Sequence, residues 1–434
     1  MNGTTSSIDP PAAGPEVKGL TTAWMMVVYA WLLIFAMYAS LLCIPPVAHI
    51  IHEKLRVSHA AVGFLFSLPF TMLIVLGIPG GFLGDRLGTK KAVGIGAVVL
   101  TTGSLLRGTS QSFGALLTFT ALYGVGFGII YPSLTKMVGL WFPREKAGLA
   151  TGVYSTGMTT GGAIALAITL PLIYPMTNSI QGTLVIWSIP TVMATILWWV
   201  AAKDPPSSPM PSIDAVTLTH TRLPSYSLWK DRNMWLIAFV LFFNNIHFFT
   251  WSAWSPALLM TKGASPELAA LIASCRGWGG FPAIFFMPWA SYKVGLRKPF
   301  LWGSALLLAF LSWSAIYIPV PLGWPLMVLV GIATSGTFPI MLALTLELLP
   351  KEYAGRASGT VLSIGYVGGL VGPWLTGRIV DVTGSFGVAL LMLMGTAILW
   401  VIVGFLIPET GPRLRRKAPG LRQEYPTDQA TPAR

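Results

Sequence analysis

Apolar runs of about twenty residues recur along almost the whole chain, separated by short polar turns. A helix of about 20 residues spans the ~30 Å hydrocarbon core of a bilayer. Twelve such runs are read, at 23–48, 60–83, 92–110, 113–138, 149–174, 183–202, 234–259, 266–292, 300–318, 326–349, 357–378 and 388–407. Lipid offers no partner for an exposed backbone group, so each run has to satisfy its own N–H and C=O as a helix. The predicted fold class is an all-α polytopic membrane protein. One interior stretch, 203–232, is long, polar and rich in Pro, Ser and Thr, and it splits the runs into two sets of six. The expected organisation is a tail (1–22), a six-helix bundle (23–202), a loop (203–232), a second six-helix bundle (233–408) and a basic tail (409–434), the last expected to be disordered.

Composition agrees with this pattern. The chain is 54% hydrophobic and 10% charged, with a mean hydropathy of +0.69, whereas soluble domains carry about 25% charged residues. A net charge of +13 would suit nucleic acid, but its distribution points elsewhere. With both termini on one side, 22 of the 28 Lys and Arg residues fall on that side, and four (Lys54, Arg56, Lys262, Arg378) on the other. Basic loops stay cytoplasmic, so the charge is read as an orientation signal: a multi-pass protein of the cell (inner or plasma) membrane with cytoplasmic termini, and no nucleic-acid partner. Cys43 and Cys275 lie in apolar runs and imply neither a disulfide framework nor a metal site. The first twenty residues lack a basic region feeding a short apolar stretch, so no cleaved signal peptide is expected.

The two sets of six are related. Pro143-Arg-Glu-Lys-Ala-Gly-Leu-Ala-Thr-Gly152 recurs as Pro350-Lys-Glu-Tyr-Ala-Gly-Arg-Ala-Ser-Gly359, an offset of 207. Without a gap, the same offset pairs Gly88 with Gly295, Lys90 with Arg297, Lys91 with Lys298, Gly124 with Gly331, Pro132 with Pro339, and Gly161-Gly162 with Gly368-Gly369. Chance likeness between apolar helices does not produce a ten-residue match, so a duplicated six-helix unit is expected.

Ionisable groups inside a membrane are costly and mark functional pathways. All fifteen acids fall in loops, tails or the ends of runs, leaving Arg107, His247 and Arg276 as the embedded groups. A cavity with basic groups and no acid suits an anion or a polar neutral solute. Arg276 lies about ten residues into the eighth run, too deep to snorkel easily, and precedes Gly277-Trp278-Gly279-Gly280, which leaves room beside the guanidinium. Its planar fork of donors matches a carboxylate or similar anion; the alternative is a structural arginine satisfied by backbone carbonyls. In the seventh run Asn244, His247, Trp251 and Trp254 share one helical stripe, with Asn245 beside it. Asn and His supply hydrogen bonds and Trp an amphipathic wall, or else these residues bond neighbouring helices. Tyr38 falls opposite Asn245 under the offset and is the symmetric lining candidate, whereas Tyr123, Tyr131, Tyr154 and Tyr366 read first as packing. Arg107, near the end of the third run, reads first as snorkelling to the surface and second as part of the pathway. Nothing suggests a metal or a cofactor.

Between the second and third runs stands Gly81-Phe-Leu-Gly-Asp85-Arg86-Leu-Gly88-Thr-Lys90-Lys91. At Gly81, Asp85, Arg86, Gly88, Lys90 and Lys91 it resembles the loop between helices 2 and 3 of the major facilitator superfamily. At the offset of 207 Asp85 falls on Tyr292, so the second copy is degenerate. Leu105-Leu-Arg-Gly108, Gly124-Val-Gly-Phe-Gly-Ile-Ile130, Trp187-Ser-Ile-Pro190, Trp254-Ser-Pro256 and Gly336-Thr-Phe-Pro339 resemble its cyanate-permease and nitroimidazole-transporter branch. The resemblance implies alternating access around a central cavity lined mainly by spans 1, 4, 7 and 10. Proton-driven drug exporters of the superfamily carry an Arg where this chain has Thr120, whereas nitrate and oxalate/formate porters share an arginine in span 8. The expected function is secondary active transport of a small anion or polar organic acid, with no enzymatic activity. A drug-type proton-coupled exporter and a nitrate- or formate/oxalate-type exchanger are the alternatives. The loop residues would bias the inward–outward equilibrium. Coupling would run through His247, which brings protons in as a partner, or through anion exchange. A monomer in the bilayer, handling a small-molecule and probably anionic substrate, is expected.

Overall fold

A computed structural model of the chain describes residues 16–142, 144–204, 228–349, 354–411 and 413. The expected disordered tail and most of the inter-bundle loop lie outside them. The described residues are helical, with no strand, and run in the order α1 (Glu16–Leu42), α2 (Ala48–Leu55), α3 (His59–Leu87), α4 (Thr89–Arg107), α5 (Phe113–Trp141), α6 (Arg144–Ile168), α7 (Tyr174–Thr177), α8 (Ile180–Ala201), α9 (Arg232–Thr261), α10 (Pro266–Val294), α11 (Lys298–Ser314), α12 (Gly323–Leu348), α13 (Ala354–Thr383) and α14 (Phe386–Leu406). Apart from α2 and α7, these occupy the twelve apolar runs. Among the described residues, nine stretches are long and apolar enough to cross a membrane on length and composition alone. The exceptions are α4, 19 residues closed by Lys90, Lys91 and Arg107, α11, 17 residues, and the glycine-rich α13.

Local chemistry sets the helix ends. Ser58 and Ser265, repeat partners, each accept an N–H of the first turn and start α3 and α10, which satisfies one of the orphan donors of a helix N-terminus. Between α3 and α4 the chain turns at Gly88 with φ +81°, a conformation that a side chain would oppose. Two boundaries differ from the sequence reading. The first run was drawn through 48, but Pro45-Pro46 stops α1 at Leu42 and the chain restarts as α2. The fifth run continues past α6 through a π-helical turn, Thr169–Ile173, around Pro171; proline removes an N–H from the α pattern and the wider turn absorbs it.

Buried apolar residues fall into two clusters, one drawn mainly from α1–α8 and one from α9–α14. Across them, α3 packs on α13 and α6 on α10, and the repeat exchanges these two contacts. Both depend on missing side chains. A Cβ at Gly63 would stand 2.4 Å from the Pro373 carbonyl oxygen, and one at Gly277 would stand 2.6 Å from that of Thr159. At the α3 N-terminus Asp381 closes the seam. Its Oδ1 accepts the His59 backbone N–H at 2.8 Å and its Oδ2 that of Ala60 at 2.8 Å, while His59 Nδ1 lies 2.9 Å from Oδ1. Burial alone would raise the Asp381 pKa, but the two N–H donors and the imidazole outweigh it and hold the carboxyl below its usual range.

Candidate functional site

Where the two clusters meet, Met158 of α6, Asn244, Asn245, Phe248 and Phe249 of α9, Thr334, Ser335 and Phe338 of α12 and Tyr366 of α13 line a narrow, nearly closed cleft. Proline and glycine-rich packing draws these helices together: α12 presses Gly331 against the Arg276 backbone of α10, leaving only 1.9 Å from a Cβ position to the carbonyl oxygen.

Arg276 stands behind this wall, 2% exposed. Its guanidinium carbon lies 4.5 Å from the centroid of the Phe248 ring, a cation–π distance. Its Nε and Nη1 have no hydrogen-bond partner among the described residues, so backbone carbonyls do not satisfy it as the structural alternative required. The following glycines do not make room for the guanidinium. Gly277 packs on α6, and Gly279 and Gly280 pack on α12 at Val328 and Ser335.

The other predicted residues separate. Asn245 lines the cleft, and its Nδ2 has no partner. Asn244 lines the cleft too, but its Nδ2 donates to the Thr334 carbonyl at 3.0 Å and to Thr337 Oγ1 at 3.1 Å, which commits it to holding α9 on α12. His247 is turned away, bonded through Nε2 to Thr396 Oγ1 of α14 at 3.2 Å and 6.3 Å from the Trp400 ring, with Nδ1 unpartnered. Trp254 donates to the Pro373 carbonyl at 2.9 Å and stacks toward His59 at 5.9 Å. The residues of α9 facing the cleft are thus Asn244, Asn245, Phe248 and Phe249, whereas His247 and Trp254 of the predicted stripe face neighbouring helices. Tyr38 is fully buried in the first cluster, its ring edge-to-face with Phe127 at 5.6 Å between centroids.

Arg107 does not snorkel. It is 0% exposed, because helical side chains lean toward the N-terminus and this one re-enters the first cluster. Its Nη2 donates to the Ser40 carbonyl at 2.9 Å, to Ser40 Oγ at 2.5 Å and to Ser104 Oγ at 3.2 Å, with the Tyr123 ring 4.4 Å from the guanidinium carbon.

At the far end of α3, Asp85 pairs with Lys136 of α5. Gly84 approaches Ser133 closely, with 3.2 Å from a Cβ position to Oγ, and Lys90 gives its carbonyl to Trp198 Nε1 at 3.0 Å; Gly81 meets nothing within 4 Å, and Arg86 and Lys91 are exposed. In the second half, where Tyr292 replaces the acid, Arg297 pairs with Glu347 at 3.1 Å and Glu409 accepts the Arg297 and Lys298 backbone N–H groups at 2.7 and 3.0 Å.

Reading the sequence had not singled out Ser335, Phe249 or Met158. Ser335 had a signal: the offset sets it on Gly128, the last glycine of Gly124-x-Gly126-x-Gly128. Phe338 sat within the quoted Gly336-Thr-Phe-Pro339. Among groups of His, Cys, Asp and Glu in the described residues, none is arranged to hold a metal ion.

The profile described as Major Facilitator Superfamily matches residues 30–270 and 250–429. An uncharacterized transporter, YycB, of Bacillus subtilis (strain 168) is 27% identical, with 90% of this chain and 94% of the relative covered. The hexuronate transporter of the same organism is 26% identical, covering 84% and 90%. The cyanate transport protein CynX of Escherichia coli (strain K12) is 23% identical, covering 76% and 83%, and a 2-nitroimidazole transporter of that organism also matches, so both names of the expected branch are represented. Among solved structures, a bacterial homolog of the human lysosomal transporter Spinster, inward-facing and occupied, aligns with a TM-score of 0.70 at 15% identity, covering 88% of this chain and 96% of that one, a likeness of fold.

Proposed function

The chain belongs to the major facilitator superfamily, and we propose that it carries a small organic anion across the cell membrane by alternating access, the anion pairing with Arg276 in the cleft between two six-helix bundles, 23–202 and 233–408. One observation carries the reading. Arg276 is a buried cation behind the Phe248 wall of the cleft, and among the described residues its Nε and Nη1 have no partner and no carboxylate pairs with it. A charge held that way is expensive unless a ligand completes it. Relatives named for hexuronate and cyanate transport support an anionic substrate.

Asn245 and Ser335 are the hydrogen-bond partners in this reading, since both line the cleft with open polar atoms. Tyr38, Trp254 and Arg107 act at a distance from the ligand, and Asn244 positions α9. His247 is set apart from the cleft, so coupling by anion exchange fits the geometry better than direct protonation beside the substrate. Both termini and the 203–232 loop face the cytoplasm in this arrangement. In this reading the seam at Gly63, Gly277 and Asp381 lies on the outer side, which supports assigning the arrangement to an inward-facing state. Gly81, Asp85, Arg86, Gly88, Lys90 and Lys91 form the inner-side switch.

Thermal unfolding of the purified protein with a panel of small anions tests the pairing, because a ligand that binds only the folded form raises stability by mass action. Stabilisation in wild type that disappears in Arg276→Gln is the expected result. Stabilisation that survives the substitution would make Arg276 structural.

A further inference from the structure

We infer that the anion is one whose body is a flat unsaturated ring. The inference deepens the proposed function and rests on its anion-pairing reading. The cleft offers little to a polyhydroxylated body. Of its polar side chains, Asn244 and Thr334 are spent within the protein, Asn244 on α12 and Thr334 on the Val330 carbonyl at 2.7 Å. Among the polar side chains that line it, the Asn245 amide and the Ser335 hydroxyl stay open, and the Tyr366 hydroxyl adds one more group on the aromatic side. A sugar acid burying four or five hydroxyls there would leave several of them unpaired, and a buried hydroxyl without a partner weakens binding.

Rings, by contrast, come from both halves. Phe70 of α3 meets Phe249 of α9 at 4.0 Å between centroids. Phe70 and Tyr366 of α13 stand nearly parallel, at 14°, with centroids 6.2 Å apart. Tyr131 of α5 meets Tyr366 edge-on at 6.1 Å, and Phe127 stacks on Tyr131 at 5.5 Å. Phe70 is carried by one half and Phe249 and Tyr366 by the other, so a parting of α3 from α13 would expose ring faces of both halves to a flat body in the cleft. Offset stacking and edge contacts favour a flat ring over a puckered one of equal area. The rings locate the body, and Arg276, over the face of Phe248 at their margin, locates the charge.

The test compares four probes on the purified full-length protein by thermal unfolding at matched ionic strength: benzoate, cyclohexanecarboxylate, glucuronate and benzamide. Benzoate is expected to bind about five- to tenfold more tightly than cyclohexanecarboxylate, with glucuronate weaker still. Phe249→Leu, which keeps an apolar side chain, is expected to abolish the preference for benzoate over cyclohexanecarboxylate while the response to anions persists. Phe70→Leu provides the same comparison if the first variant unfolds. Equal or stronger binding of cyclohexanecarboxylate or glucuronate, lost in Arg276→Gln, would overturn the ring and leave the anion reading standing. Benzamide binding as tightly as benzoate, unaffected by Arg276→Gln, would keep the ring and overturn the anion. Absence of any benzoate response would overturn the inference, making the rings a packed seam.

Discussion

Two arginines share the interior, and their surroundings separate them. Arg107 leaves Nε and Nη1 open as Arg276 does, but it gives Nη2 to Ser40 and Ser104, is closed in by Tyr123 and does not line the cleft. Arg276 has no donor contact among the described residues and stands directly behind Phe248 of the cleft wall. Replacing a buried charge that has no counter-ion by an apolar side chain of similar length is often neutral or stabilising. Arg107→Met is therefore expected to leave thermal stability unchanged or higher, by up to about 2 kcal/mol, and to keep the response to anions. An anion response lost in Arg107→Met would place that arginine in the pathway. The sequence distinguished these residues only in part. It placed all three embedded ionisable groups, but it could not give the rotation of a helix that is apolar on every side. With Phe, Trp and Leu surrounding α9, no polar face marks which stripe looks inward: Asn244 and Asn245 line the cleft, while His247 and Trp254 turn to other helices and Phe248 and Phe249 take their place.

At the level of elements, the twelve long helices were legible because bilayer thickness sets their length and each must close its own hydrogen bonds. Their ends were less so. Pro45-Pro46 and Pro171 sit within apolar runs, and hydropathy alone does not say whether a proline stops a helix, as after α1, or is absorbed as a π turn, as after α6. Nor does hydropathy announce the contact between α3 and α13, which depends on an acid 322 residues from its partner. Asp381 caps α3 with the aid of His59, whose ring faces His52 at 4.2 Å and Trp254 at 5.9 Å. Because the Asp381 pKa is lowered in the folded protein, its contribution is present above the ordinary carboxylate range and is lost as pH falls through the depressed value. Asp381→Asn should lower thermal stability near neutral pH, and the difference from wild type should shrink toward acid pH. A difference that stays constant across the titration would show that the carboxylate charge is not what closes the seam.

For the whole molecule, the duplication was plain in a ten-residue repeat, and the structure adds that its two copies are built differently at the cytoplasmic-type loops. The first uses Asp85 with Lys136; the second, lacking that acid, uses Glu347 and Glu409 with Arg297. Asp85 and Lys136 are both substantially exposed, and an exposed pair adds little stability. Asp85→Asn is accordingly expected to spare stability and anion binding and to slow turnover, seen as a reduced rate of flux at unchanged affinity. Unaltered flux would remove the loop from the switching mechanism. The cleft itself was the least legible feature, because it is assembled from α6, α9, α12 and α13, and only the packing of the two halves says which aromatic rings meet.

The central claim is that this cleft moves anions by pairing them with Arg276. Flux of benzoate, cyanate and glucuronate into proteoliposomes, wild type beside Arg276→Gln, measures it most directly. The account predicts saturable flux of at least one of these anions in wild type and its loss in a folded Arg276→Gln protein; anion flux of equal rate and affinity in that variant would contradict it.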